Sequence, residues 1–396
     1  MKRLASAGLL TVLILTGCSA KQQALTDLGK PPLVPPTSVQ APPVNTTPTI
    51  DNAGGKDYTP GASTPAPTPA PQPAPKPTPA PAPQPAPQPT PAVQGDLQVR
   101  SVRLFGGAGW MQTADRLLHT ADGGATWVDV SPKVGPLERA QWVDGQNAWV
   151  FYQNILLHTR DGGTTWLTNH APFGDATIAF GGGTGWAMVA GEPGAGSMPV
   201  SFHVTRDGGG TWTPPGGTVP NGGMKNGLAF ADTKVGWVTG HSATPGKPWV
   251  YATRDGAASW QELQLPVDKA HQAAELSVDA PLILSARDIV LPVRSVTTTV
   301  ETIFFASHDG GATWSTSPAL PGQGAYAFGD ADHGWFWDGQ ALRATRDGGR
   351  TWSTGQAMAN VEALSFTGAQ TGVAASNGAL LHTTDAGVTW KATQVR

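Results

Sequence analysis

From residue 97 onward, apolar residues come in short alternating bursts, each closed by a polar turn rich in Gly. Period-two alternation over so few positions predicts half-buried β-strands. In the first stretch the strands are expected at 99–105, 109–113, 116–120 and 126–130. The pattern then starts again. Before residue 97 it is absent: one apolar run covers 4–15, and a long stretch without apolar periodicity follows.

The recurrence has a fixed core. Thr120-Ala-Asp-Gly-Gly-Ala-Thr-Trp127 returns at 159–166, 205–212, 253–260, 307–314, 345–352 and 383–390. Its acids are Asp122, Asp161, Asp207, Asp255, Asp309, Asp347 and Asp385, spaced 39, 46, 48, 54, 38 and 38 residues apart. Its tryptophans are Trp127, Trp166, Trp212, Trp260, Trp314, Trp352 and Trp390. A second mark precedes each acid: Trp110, Trp149, Trp186, Trp237 and Trp335, with Val373 in the last repeat. Repeat 5 departs most, with Ile289 near that place. Four short strands per repeat cannot bury both faces alone, so neighbours must stack, which predicts an all-β, seven-bladed propeller of four-stranded blades.

The box itself is mechanical. An Asp in a turn accepts backbone N–H groups two or three residues on, and the glycines permit positive φ. The Trp is expected to cover the edge between adjacent units. The repeated carboxylates are therefore read as structural, not as catalytic acids. Seven complete units predict closure by packing of the last unit on the first, without strand exchange.

These repeats resemble the Asp-box, or BNR-repeat, propellers. Among them they are most similar to the photosystem II assembly and stability factor family and its non-photosynthetic bacterial relatives. The resemblance implies a seven-bladed propeller, in some members a lipoprotein. It is specific for fold and not for function, because sialidases, sortilin-type receptors and xyloglucanases share the box.

The N-terminus reads as an address. Met1-Lys2-Arg3 is basic, residues 4–15 are too short an apolar run to span a bilayer, and Leu15-Thr16-Gly17-Cys18 follows. The last four resemble a bacterial lipobox, which implies a signal peptide over 1–17 and acylation of Cys18, the sole cysteine. Several acyl chains, palmitate among them, give stable anchoring where one is marginal. Residues 18–96 are expected to form a disordered, Pro-rich stalk. Every odd position from Pro65 to Pro91 is Pro, so those 27 residues predict a polyproline II rod of roughly 80 Å.

Composition sharpens this division. Of 37 prolines, 22 lie between Pro31 and Pro91, whereas all 15 tryptophans follow residue 96. Charged residues make up 13% of the chain, about half the usual share. A net charge of −3 argues against a nucleic-acid partner.

Candidate chemistry is sparse. The Arg100-Ser101-Val102-Arg103 stretch lacks the Pro of a sialidase motif, and no Tyr–Glu pair is evident. A two-propeller glycosidase would need a second ring. His119, His158 and His382 occupy one place in repeats 1, 2 and 7, too far apart in a ring to share a metal at bond lengths near 2 Å. Arg160, Arg206, Arg254 and Arg346 precede box acids and are read as solvated turn residues. No cofactor and no metal are expected. The surplus length of repeats 3 and 4 falls at 190–199 and 241–249, the links between second and third strands, with more within 270–302. Loops on a rigid scaffold commonly bind, so Met198, Phe202 and Trp249 are candidate contact residues. The reading is a monomeric propeller on the extracytoplasmic side of the cell membrane, held by a lipid anchor. It binds another extracytoplasmic or membrane protein without catalysis; a glycan-binding or glycoside-hydrolysing surface protein is the alternative.

Overall fold

The computed structural model describes residues 97–396, apart from Pro136, Glu138, Gln153, Asn154, Asp175, Gly182, Ala195, Thr218 and Val219. The expected signal peptide, the expected lipidation at Cys18 and the expected stalk all fall on residues outside those described.

The alternating bursts form strands close to where the pattern places them. Repeat 1 contains Ser101–Phe105, Ala108–Gln112, Leu117–Thr120 and Thr126–Asp129, each antiparallel to the next. Repeats 2, 6 and 7 likewise form four-stranded sheets in chain order. Burial is greatest in the middle strands of a sheet and least in the outermost one. The second strand of repeat 2, Ala148–Tyr152, is buried almost throughout, whereas the fourth strand of repeat 6, Ser353–Ala357, is wholly exposed. A middle strand packs against neighbours on both faces and so needs apolar residues without alternation. The outermost edge meets water.

Repeats 3 to 5 depart from the four-strand rule. Repeat 3 has three strands, Ala176–Gly181, Thr184–Ala190 and Val200–Thr205, and its fourth is reduced to the bridge Val204↔Thr213. Repeats 4 and 5 share one ten-stranded sheet through the single pairing His241↔Ser277. The innermost strand of repeat 5 is split into Glu275–Val278 and Leu282–Ile283, both paired with Ile289–Val296.

Neighbouring repeats meet through a mark absent from the sequence reading. An aromatic residue ends the first strand of most repeats and takes the second-strand Trp of the preceding one. Trp149 stacks on Phe180 at 3.8 Å, Trp186 on Phe230 at 3.5 Å and Trp335 on Phe366 at 3.6 Å. Trp110 lies parallel to Trp142 at 5.8 Å. The Gly before the Trp makes room: a Cβ on Gly334 would stand 2.6 Å from the Phe328 ring. Indole N–H groups reach across too, Trp186 to the Gly256 carbonyl at 3.0 Å and Trp335 to that of Ala386 at 2.9 Å. Ile289, fully buried, packs in one cluster with Trp237.

The last repeat closes on the first in the same manner, with one correction. Val373 sits where a Cβ on Gly124 of the first box would be, and both Leu104 and Leu118 share a cluster with Val373 and Leu380. Strand exchange occurs as well. Gln394–Val395 pairs in parallel with Thr126 and Trp127, outside a sheet that already has four strands. Arg396 N–H donates to the Trp127 carbonyl at 2.7 Å. Repeat 7 is complete without these residues, so the expectation of no leftover strand overlooked a chain long enough to cross the seam. Trp127 is consequently fully buried, while the other six box tryptophans stay half-exposed.

Candidate functional site

The boxes and the first-to-second-strand turns lie at one end of the strands. The second-to-third-strand links and the passages between repeats lie at the other. Each end contains candidate chemistry.

At the box end, one hydrogen-bond pattern occurs seven times. In the first box the Thr120 hydroxyl donates to Asp122 Oδ1 at 2.8 Å and accepts the Gly124 N–H at 3.0 Å. Asp122 Oδ1 accepts the Thr126 N–H at 2.8 Å, and its Oδ2 accepts the Thr126 hydroxyl at 2.7 Å. The principal backbone donor is thus four residues on, not two or three, because the two left-handed glycines curl the chain back over the carboxylate. Gly123 and Gly124 have φ of 70° and 97°. Hydrogen bonds from hydroxyl and amide hold Asp207, Asp347 and Asp385 down to about 2. They lower Asp161 and Asp309 in the same way, and Asp122 and Asp255 despite some desolvation. Such acids are ionised at neutral pH and fully engaged, which suits them to hold a turn and not to donate a proton.

The three equivalent histidines pack between repeats. His119 Nε2 lies 2.8 Å from the Gly145 carbonyl of repeat 2. His158 stacks on Trp149 at 3.8 Å, and burial with Arg160 nearby lowers it to about 4. Burial also lowers His382. Among the described residues no cluster of His, Cys, Asp and Glu is placed to hold a metal. Arg160, Arg206, Arg254 and Arg346 are all exposed, and Arg254 reaches the Gly310 carbonyl at 3.4 Å.

At the opposite end, the surplus segments of repeats 3 to 5 interlock. Met198 N–H donates to the Gly223 carbonyl at 3.0 Å, while its own carbonyl accepts Lys225 Nζ at 2.7 Å. Lys225, lowered by burial, lies 5.1 Å from the centroid of the Trp249 ring. Gly246 N–H donates to the Ala274 carbonyl at 2.7 Å, and Lys247 pairs with Glu262 at 2.6 Å. Repeat 5 contributes differently from the expected loop. Its extra residues lengthen the hairpin of Ile289–Val296 and Val300–Ser307 and add the 3-10 turn Lys269–His271 before the first strand. His271 joins the two, with Nδ1 2.6 Å from Asp268 and Nε2 3.1 Å from Glu301.

The candidate contact residues divide here. Phe202 and Trp249 are 3% and 6% exposed and belong to the core with Trp186 and Leu228. Alternation along Val200–Thr205 turns Phe202 inward, and the Trp249 ring is covered by Lys225 and Gly223. Buried in this way, neither side chain is a surface contact residue, which corrects the expectation for both. Met198 is half-buried, and its backbone does the structural work.

Stacked four-stranded sheets, seven Asp boxes and aromatic inter-repeat wedges define a β-propeller of the Asp-box kind. Residues 322–396 match the family model described as photosynthesis system II assembly factor YCF48, and the chain is a propeller resembling the photosystem II assembly factors. Among solved structures, YCF48 from Cyanidioschyzon merolae is 16% identical, with 73% of this chain and 96% of that chain covered at a TM-score of 0.50. A structure described as YCF48 bound to D1 peptide is also 16% identical, with 73% and 94% covered at 0.49. The GH74 enzyme of Niastella koreensis is 14% identical, with 74% and 62% covered at 0.32. No curated protein sequence matches the chain.

Proposed function

We propose that this chain is a lipid-anchored, extracytoplasmic propeller of seven blades that serves as a non-enzymatic protein-binding and assembly platform. The observation that carries the reading is the interlocked surface of repeats 3 to 5. Segments that lengthen by neutral drift have no reason to be tied together, whereas these are linked by Lys225–Met198, Gly246–Ala274 and His271–Glu301 contacts. The match of 322–396 to a family of assembly factors points the same way. In this reading Cys18 carries the acyl chains and the polyproline stalk lifts a monomeric ring away from the membrane.

A pull-down from detergent-solubilised membranes tests the platform. The full chain is expected to retain a specific protein that is lost when 191–197 and 242–247 are shortened together. Equal recovery by both proteins would remove the surface from consideration. A parallel screen for glycan binding and hydrolysis addresses the alternative, since turnover that survives purification would overturn the non-enzymatic reading. Cys18→Ala is expected to move the protein from the membrane to the soluble fraction.

A further inference from the structure

The inner strands surround a channel, and Arg103 crosses it. Arg103 lies on the innermost strand of repeat 1, and its Nη2 donates to the Ile283 carbonyl on the inner strand of repeat 5 at 2.9 Å. Its Cζ stands 5.0 Å from the centroid of the Phe105 ring. Among the described residues no carboxylate pairs with it. Asp279, the acid beside the channel wall, accepts the Tyr326 hydroxyl at 3.0 Å.

The guanidinium borders two cavities of about 310 and 460 Å³, both also lined by Leu282, Ile283 and Tyr326. A guanidinium has five N–H donors in a planar fork, and only one is used here on protein. Arg103 is half-buried, and a partly desolvated cation with a single neutral acceptor is incompletely compensated. A carboxylate satisfies the fork with two parallel bonds. The rest of the smaller cavity's wall mixes apolar side chains, among them Leu282, Phe328 and Leu364, with the hydroxyl-bearing Tyr326, Ser365 and Thr367. One cation, beside Leu, Ile and Phe side chains and a few hydroxyls, favours a single negative charge on a compact, partly apolar body over a multiply charged, strongly hydrated ion.

We propose that the channel binds a small monocarboxylate with a compact apolar body, gripped by Arg103. The site is independent of the interlocked surface and of any protein partner.

Three probes separate the elements of the proposal: benzoate, benzyl alcohol and inorganic phosphate, titrated into the full chain and followed by NMR and by thermal shift. Benzoate is expected to bind at millimolar concentration and to move resonances of Ile283 and Tyr326. Benzyl alcohol and phosphate are each expected to bind about tenfold more weakly, as loss of a charge-assisted pair or of apolar contact implies. Arg103→Gln can keep the bond to Ile283 and removes the charge; it is expected to stay folded and lose benzoate binding. If Arg103→Gln fails to fold, Arg103→Lys, which keeps the charge without the fork, is expected to bind benzoate more weakly than the native chain. No benzoate binding, equal binding of phosphate or benzyl alcohol, or undiminished binding by a folded Arg103 variant would overturn the proposal.

Discussion

Single residues decide how well each copy of the box is made. Two boxes place Ala where the others place Gly in the left-handed region: Ala257 at φ 75° and Ala386 at φ 64°. An L-residue there costs roughly 1–2 kcal/mol, partly offset by the smaller entropy it loses on folding. Ala386→Gly is therefore expected to stabilise by about 0.5 kcal/mol, read as a small rise in Tm; an unchanged or lower Tm would contradict the strain. Ala257 differs, because its methyl fills a core position. Histidines respond to pH with opposite signs. Burial lowers His158 to about 4, so its folded form resists protonation. Its contribution is complete above the ordinary value of about 6.5 and is lost as pH falls from there to about 4. Desolvation opposes protonation of His271 too, but Asp268 and Glu301 outweigh it and raise the value. Both ring nitrogens face carboxylates, and only the imidazolium can donate to both. That contribution is complete below about 6.5 and is lost as pH rises through the raised folded value. An NMR titration of ring protons should place His158 well below and His271 above the free-histidine midpoint; coincident midpoints would refute both assignments.

At the scale of elements, the second glycine of the box shapes the contact between repeats. A Cβ on Gly311 would lie 2.6 Å from Cζ2 of Trp237, at a φ of 81°. Clash and backbone strain act together, so Gly311→Ala is expected to cost about 2–4 kcal/mol in denaturant unfolding. A cost under about 0.5 kcal/mol would mean that the wedge gives way easily. The C-terminal strand is the other decisive element. Deleting 394–396 removes buried Val395, uncovers Trp127 and breaks the Arg396–Trp127 bond. Losing one buried aliphatic side chain and a hydrogen bond is expected to cost about 2–4 kcal/mol. Amide exchange at 126–129 should accelerate most; uniform acceleration over the ring would argue that the strand has no local role.

For the whole molecule, stability comes from stacking, and each repeat lends one face to its neighbour. The first and last repeats share a cluster that includes Leu97 and Val395, the first and nearly the last described residues. Truncation before repeat 7, at Asn360, should abolish cooperative unfolding by circular dichroism, because it uncovers Met111 and Leu118. A sharp transition in that truncated chain would show that closure is dispensable.

Much of this architecture was legible along the chain because the causes are local. Alternation set the strands of repeat 1 to within two residues at each end. The spacing of Thr, Asp, Gly, Gly and Trp specified the turn, since every bond within it spans at most four residues. Neither local cause reaches between repeats. That Phe180, Phe230 and Phe366 receive the preceding Trp depends on how sheets stack. Burial of Phe202 and Trp249 depends on which side of repeat 4 a neighbour covers. The seam strand pairs residues more than 250 positions apart, and Arg103 meets Ile283 across 180. Such contacts carry no local signature, because closing a ring brings together residues whose separation in sequence is arbitrary. The sequence by itself determined the repeating turn and its strands; the tertiary structure decided what seals the ring, what faces outward and what occupies its centre.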